Sequence, residues 1–438
     1  MKQDRIWYPF TQMTDLPNPS FKIFAKGEGN YLIDESGKKY LDGYSSLWVN
    51  VHGHNQPSIV KAITDQANLL DHSTLLGASN RQAIRLASRL AEIVPVENAY
   101  IFYSDSGSTS VEIGCKMAYQ YWQNIGQTKK TEFLSLENAY HGDTLGMIGL
   151  GGIDLFHEVY KPIIKPSLKV TPSYENCAKK ITLDEALEQV KKIFEKESSK
   201  IAAMVVEPLI QGAAGILEIS KGYLAGISKL CKDYKVLLVV DEVATGFGRT
   251  GKMFACEQEN VKPDIVCLAK GISGGALPLA ATAVSSEIYN AFLAPYNQFK
   301  AFFHGHSYTG NPIACAAANA SLDLFEGNHV IDSLETKVLH FNKKLKELHR
   351  LDSVLFVRGR GLMVGVEIGR NKKTLENYKI EDRMAHRICM ACVEKGLVLR
   401  PLGHVIPIIP PLSIQIKEID FLFDVLSESI LKEVSKEK

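Results

Sequence analysis

A surplus of charge of either sign is missing from this sequence. Its 50 Lys and Arg residues face 49 Asp and Glu, for a formal net charge of +1. A dedicated nucleic-acid binder needs a basic excess to neutralise a phosphate backbone, so that class is set aside. No apolar run reaches the ~20 residues of a membrane helix. No Walker lysine motif and no dinucleotide glycine fingerprint occurs. Internal repeats and low-complexity stretches are also lacking. Cysteine is sparse, with eight in 438 residues. Most sit in apolar runs such as Ile265-Val266-Cys267-Leu268, where a free thiol behaves as a small hydrophobe. A chain of this length needs no disulfide staples, and the scatter points to a reducing compartment. The one close pair, Cys389 and Cys392, has no second pair nearby; it reads as one helix face rather than a zinc or redox site. Residues 1–13 mix charges with Pro9 and aromatics, unlike a signal peptide. A cytoplasmic location is expected.

Hydrophobic residues make up 45% of the chain and charged residues 23%, ordinary usage for a soluble globular protein. The length predicts two or three domains. Residues 1–19, with Pro9, Pro17 and Pro19, read as an extended arm. Residues 30–42 read as a hairpin around Glu35-Ser36-Gly37, and helical periodicity follows over 57–70 and 81–93. Strands and helices then alternate. Strands are predicted at 99–103, 132–136, 202–206, 236–240 and 264–268, with helices from Ser106 to about Trp122 and over 183–197 and 221–234. That order predicts an α/β fold: a mostly parallel sheet with helices on both faces and its strand ends along one edge. A helix over 313–325 leads out, and the remainder, with strands at 354–357 and 362–368, reads as a smaller α+β domain.

Three features fall at the predicted edge. Asp105-Ser106-Gly107-Ser108 precedes a helix, where small residues, backbone N–H groups and the helix N-terminus suit a phosphate. Alone, the same residues suit a simple cap. Asp241 ends an apolar strand, placing a carboxylate at the crevice where α/β sheets bind ligands. Lys270 follows another apolar strand; desolvation there would yield the neutral amine that attacks carbonyls. An anion site, a buried carboxylate and such a lysine together fit pyridoxal phosphate. The lysine bonds the aldehyde, and the carboxylate keeps the ring nitrogen protonated. Tyr140 supplies a flat face near the same edge.

The stretch 237–251 with Lys270 beyond Pro263-Asp264 resembles the signature of class III aminotransferases. Tyr140-His141-Gly142-Asp143, residues 304–312, residues 42–48 and Arg400-Pro401-Leu402-Gly403 resemble the branch of that family that acts in biotin biosynthesis. That branch transfers an amino group to 8-amino-7-oxononanoate and gives 7,8-diaminononanoate. The likeness runs over nearly the whole chain. It implies a fold type I homodimer with shared active sites, made of an N-terminal arm and hairpin (1–55), a large pyridoxal-phosphate-binding domain (56–326) and a C-terminal small domain (327–438). It further implies that Lys270 is the catalytic lysine, that Gly107 and Ser108 hold the phosphate, that Asp241 pairs with the ring nitrogen and that Tyr140 stacks near the ring. His306 and Ser307 would reach the phosphate from the other subunit; Thr is common where Ser307 stands. Arg400 matches the arginine that binds the substrate carboxylate, Gly305 matches a substrate contact, and Glu207 lies beside the ring.

Two departures bear on the amino donor. Members that use S-adenosylmethionine tend to carry Tyr where this chain has Phe10, and Trp-Trp where it has Leu47-Trp48. Loss of a phenol and an indole removes a hydrogen-bond donor and a stacking face. Residues 42–54 and 73–77 are more similar to a branch that uses L-lysine. The expected substrates are 8-amino-7-oxononanoate and one of these two donors. The alternative is a general ω-amino acid or diamine transaminase working with pyruvate or 2-oxoglutarate.

Overall fold

The longest apolar runs become the middle of a seven-stranded sheet. Ile201–Val206, Leu237–Asp241 and Ile265–Leu268 are buried at every position, as expected of parallel strands covered on both faces. The computed structural model describes residues 5–15, 22–178 and 181–437; residues 1–4 and 16–19 of the expected arm lie outside them. Across the sheet the order is Tyr100–Ser104, Ala280–Val284, Ile265–Leu268, Leu237–Asp241, Ile201–Val206, Glu132–Leu136 and Leu168–Val170. Ala280–Val284 runs antiparallel to both neighbours, and the other ladders are parallel. All strands but that one therefore point the same way. The chain leaves Ser104, Leu136, Val206, Asp241 and Leu268 along a single edge.

Alternate side chains divide between two cores. Val239, Ile265 and Cys267 pack with Val111, Ile113 and Ala118 of the helix Gly107–Asn124. Leu238, Val240 and Val266 pack with Val190, Phe194 and Ile227 on the opposite face, where the helices Leu183–Glu197 and Tyr223–Asp233 lie. The expected mostly parallel sheet with helices on both faces is present. Two strands of this sheet were not foreseen. Leu168–Val170 is short, with only Val170 buried. Ala280–Val284 reads Ala-Ala-Thr-Ala-Val, too poor in large residues to signal a strand.

Smaller sheets surround this one. Phe24–Glu28, Tyr31–Asp34, Lys39–Asp42 and Leu397–Val398 form one. Its last ladder is parallel and pairs Val398 with Asp42, so the region before the large sheet is tied to the chain just before Arg400. Val354–Arg360, Met363–Ile368 and Val405–Ile408 form another. Cys389 and Cys392 are both buried on the helix Met384–Glu394. No helix among the described residues is long and apolar enough to cross a membrane.

The loop before the helix Pro57–Leu69 carries a pH-sensitive contact. His52 packs edge-on against Phe325 at 4.8 Å, with Nε2 3.0 Å from Ser321 Oγ. Burial pushes its pKa down to about 4. Unfolded, the imidazole titrates near 6.5, so its contribution is whole above that pH and is lost as pH falls through about 4. We expect wild type to lose on the order of 2 kcal/mol between pH 6.5 and 5 from this group. Denaturant melts of His52→Leu at both pH values should show that part of the slope gone.

Candidate active site

Residues leaving the aligned strand ends line one cavity of about 1060 Å³, among them Asp105, Gly107, Ser108, Tyr140, Glu207, Asp241 and Lys270. Phe10, Leu47, Trp48 and Arg400 join them from the smaller sheet and the N-terminal arm.

The anion end is the start of the helix Gly107–Asn124. Ser106 caps it, accepting from Thr109 N, while Thr109 Oγ1 accepts from Ser106 N. The N–H groups of Gly107 and Ser108 have no acceptor among the described residues and stand at the positive end of the helix dipole. Two glycines permit the close approach. A Cβ on Gly107 would lie 2.5 Å from Val243 Cγ1, and one on Gly142, at φ +103°, would lie 2.4 Å from Ser108 Cβ. Ser108 Oγ accepts from Thr144 N at 3.2 Å. It lies 3.0 Å from Thr144 Oγ1, whose own proton goes to Glu112 Oε2 at 2.6 Å. These are the donors a phosphate monoester requires.

The acidic part is built from two strand ends. Asp241 Oδ2 accepts from His141 Nδ1 at 2.7 Å, and Oδ1 from Val243 N at 3.0 Å. His141 is buried, and its Nε2 has no partner among the described residues. Glu242, the next residue, turns away: its carboxylate accepts from Thr245 Oγ1 at 2.5 Å and Cys256 N at 2.9 Å. Glu207 accepts from Tyr140 N at 3.0 Å and Gly212 N at 2.9 Å. Burial pushes its pKa up to about 7, against the pull of His141 and with the help of the Asp241 charge. Tyr140 donates its hydroxyl to Asp143 at 2.7 Å and stacks at 10° to the His157 ring.

Lys270 stands two residues beyond its strand, at φ +46°. The residue keeps some surface open to the cavity, but its amine lies among protein atoms. Burial lowers its pKa; Asp241 and Glu207 oppose that shift and Arg249 assists it. Its Nζ sits 4.8 Å over the Trp48 ring. A primary amine with a lowered pKa, a carboxylate fixed by a histidine and an open helix N-terminus in one cavity fit pyridoxal phosphate.

The substrate side is more apolar. Phe10 contacts Phe156 at 5.4 Å, and Phe156 contacts Tyr140 at 6.4 Å. Arg400 Nη2 donates to Phe10 O at 3.0 Å and the side chain also reaches Tyr44; with five N–H donors, a guanidinium so held can still fork onto a carboxylate. Leu47 and Trp48 come from a turn in which Ser45, Ser46, Leu47 and Trp48 all have positive φ. Left-handed backbone costs non-glycine residues roughly 1–2 kcal/mol each.

Gly305, His306 and Ser307 stand apart: none lines the cavity of its own chain. Gly305 and Ser307 are exposed, and His306 Nδ1 lies 3.1 Å from Asp105 Oδ2. Sequence reasoning missed His141, Thr144 and Phe156. His141 was within reach, since it follows Tyr140 in a stretch already singled out. Phe156 sits in the one-turn helix Asp154–His157, which has no periodicity to read.

The comparisons with known proteins agree with this geometry. The family model described as aminotransferase class-III matches residues 16–430. A curated relative from Geobacter sulfurreducens named adenosylmethionine-8-amino-7-oxononanoate aminotransferase is 46% identical over 97% of this chain and 95% of its own length. One of the same name from Staphylococcus aureus is also 46% identical, over 97% and 95%. The crystal structure of an enzyme of that name from Methanocaldococcus jannaschii superposes with a TM-score of 0.94 at 44% identity, covering 98% of this chain and 97% of that one. An amine transaminase from an uncultivated Pseudomonas species, in PLP-bound form, gives 0.91 at 31%, covering 98% and 99%. With its fold type I architecture and its lysine, carboxylate and anion cradle at one sheet edge, this chain belongs to the class III aminotransferases and is a pyridoxal-phosphate-dependent transaminase.

Proposed function

We propose that this transaminase carries an amino group to 8-amino-7-oxononanoate and forms 7,8-diaminononanoate, a step of biotin biosynthesis. The observation that carries the reading is one cavity, walled by Leu47, Trp48, Leu155 and Phe156, that holds both Lys270 and Arg400. An acceptor with an amino ketone at one end of a methylene chain and a carboxylate at the other needs that combination. The names of the relatives at 43–46% identity support it. Phe10 and Leu47, which bring no phenol or indole to the cavity, support L-lysine over S-adenosylmethionine as donor.

Pyridoxal phosphate supplies an electron-withdrawing ring that stabilises the charge left on the donor carbon when its proton departs. Lys270 Nζ takes that proton and returns it, and burial, which lowers its pKa, favours the neutral amine the task needs. Asp241 holds the proton of the ring nitrogen, and His141 keeps the carboxylate aimed. The N–H groups of Gly107 and Ser108 bind the phosphate. Tyr140 and Glu207 would border the ring, and Arg400 would take the tail carboxylate of the acceptor.

The same reading makes the enzyme a cytoplasmic homodimer in which Gly305, His306 and Ser307 serve the partner's cavity. Phe303 and Tyr308, on either side of them, are 76% and 62% exposed. Nearby, His72 contacts Tyr308 at 4.9 Å. His72 Nδ1, Ser73 Oγ and His304 Nε2 are buried without a hydrogen-bond partner among the described residues. A second copy laid on this face would cover the exposed rings of Phe303 and Tyr308. The division at 55/56 and 326/327 belongs to the proposal too, and the ladder from Leu41–Asp42 to Leu397–Val398 supports joining the two ends into one small domain.

The test offers the loaded enzyme 8-amino-7-oxononanoate, pyruvate or 2-oxoglutarate, each with L-lysine or S-adenosylmethionine. We expect 7,8-diaminononanoate, and a kcat/KM for its precursor at least ~100-fold above pyruvate. Arg400→Ala should raise KM for that acceptor ~10–100-fold while kcat changes little. Turnover of pyruvate or 2-oxoglutarate with no diaminononanoate formed would make the enzyme a general ω-transaminase.

A further inference from the structure

Four consecutive non-glycine residues, Ser45, Ser46, Leu47 and Trp48, have φ of +53°, +47°, +73° and +69°. A single left-handed residue is a common turn device, but a run of four needs something that over-determines it. The backbone closes on itself, with Trp48 N donating to Tyr44 O and Val49 N to Ser45 O, each at 3.0 Å. Those bonds would form in either hand. What selects this hand stands just before the turn.

Asp42 is fully buried, and its carboxylate gathers four donors. Oδ1 accepts from Tyr44 N at 3.3 Å and Ser46 N at 3.1 Å. Oδ2 accepts from Ser46 Oγ at 2.8 Å and His54 Nε2 at 2.9 Å. His54 is itself oriented, because Asn50 Nδ2 lies 3.2 Å from its Nδ1 and leaves Nε2–H to donate. The far side of the turn is clamped by buried Arg249, which donates to Asn50 O at 3.0 Å. Three of the four bonds to Asp42 end on the residues that open the turn. The side chains that follow reach the site: Leu47 faces the cavity, and Trp48 lies under Lys270 Nζ and packs with Leu209, Ile210 and Met363.

We propose that Asp42 is a positioning residue that holds residues 45–48 in a left-handed turn and so sets where Leu47 and Trp48 stand around the substrate. If the turn relaxed to right-handed backbone, the Cβ of Leu47 would swing away from the cavity and the indole would leave its place beneath Lys270. The residue acts through its neighbours and touches no reacting atom. The kinetic part of the inference rests on the substrate reading above; the conformational part does not.

The test uses Asp42→Asn in the loaded, full-length enzyme, an isosteric change that keeps one acceptor oxygen and removes the charge that draws four donors. Hydrogen exchange should quicken at least tenfold at the Ser46 amide and stay as in wild type in strand 237–241. With the acceptor that the enzyme turns over, KM should rise five- to tenfold while kcat stays within threefold. Ser46→Gly added to Asp42→Asn should recover most of that KM, because glycine adopts positive φ freely. His54→Gln should give a smaller change of the same sign. Unchanged exchange at Ser46 in Asp42→Asn would overturn the proposal even if no acceptor is found, and so would a raised KM that Ser46→Gly does not lower.

Discussion

Lys270→Ala should lose about 10⁴-fold in turnover while the chain still folds and still takes up cofactor. On the proposed reading the amine has two tasks, bonding the cofactor and moving the proton, and no other amine lines the cavity among the described residues. The purified variant should lack the yellow colour of the lysine-bound cofactor, and borohydride should no longer fix the cofactor to the chain. Added methylamine should restore part of the activity, since a small amine fits where the side chain was. A variant that keeps a tenth of wild-type turnover would place the proton transfer elsewhere.

Asp241→Asn should cost 10²–10³-fold in turnover, the order seen when one preorganised electrostatic partner is removed. The amide is the same size but carries no charge to hold a proton on the ring nitrogen, the task proposed for Asp241. It also turns an acceptor of the His141 N–H into a group that can present N–H in return. The Asp241 charge helps to raise Glu207, so the variant should also lower that carboxyl group's pKa. Fold stability should change little, because the shape is kept. Assays of both half-reactions, with thermal melts alongside, separate loss of chemistry from loss of structure.

The parts of this enzyme that were legible in the sequence are those with a short-range signature. Ile201–Val206 and Leu237–Asp241 are apolar because both faces are covered, and that alone marks them as inner strands. Lys270 and Asp241 were conspicuous because a charge directly after such a run must have a reason. What could not be read depends on contacts distant in the chain. Ala280–Val284 is a strand because Tyr100–Ser104 and Ile265–Leu268 flank it, and its small side chains carry no pattern. The His141–Asp241 bond joins residues 100 positions apart. The left-handed turn at 45–48 leaves no mark in composition, since none of its residues is glycine. Resemblance placed His306 and Ser307 at the phosphate of the other subunit and Gly305 at the substrate; in one chain none of the three lines the cavity.

The antiparallel strand has a consequence for how the enzyme is made. Tyr100–Ser104, which delivers the phosphate cradle, joins the sheet only through Ala280–Val284. A chain emerging from the ribosome therefore completes the hydrogen-bond ladder of that strand only after Ala280–Val284 has been synthesised and has turned back. Loop closures of that length are slow.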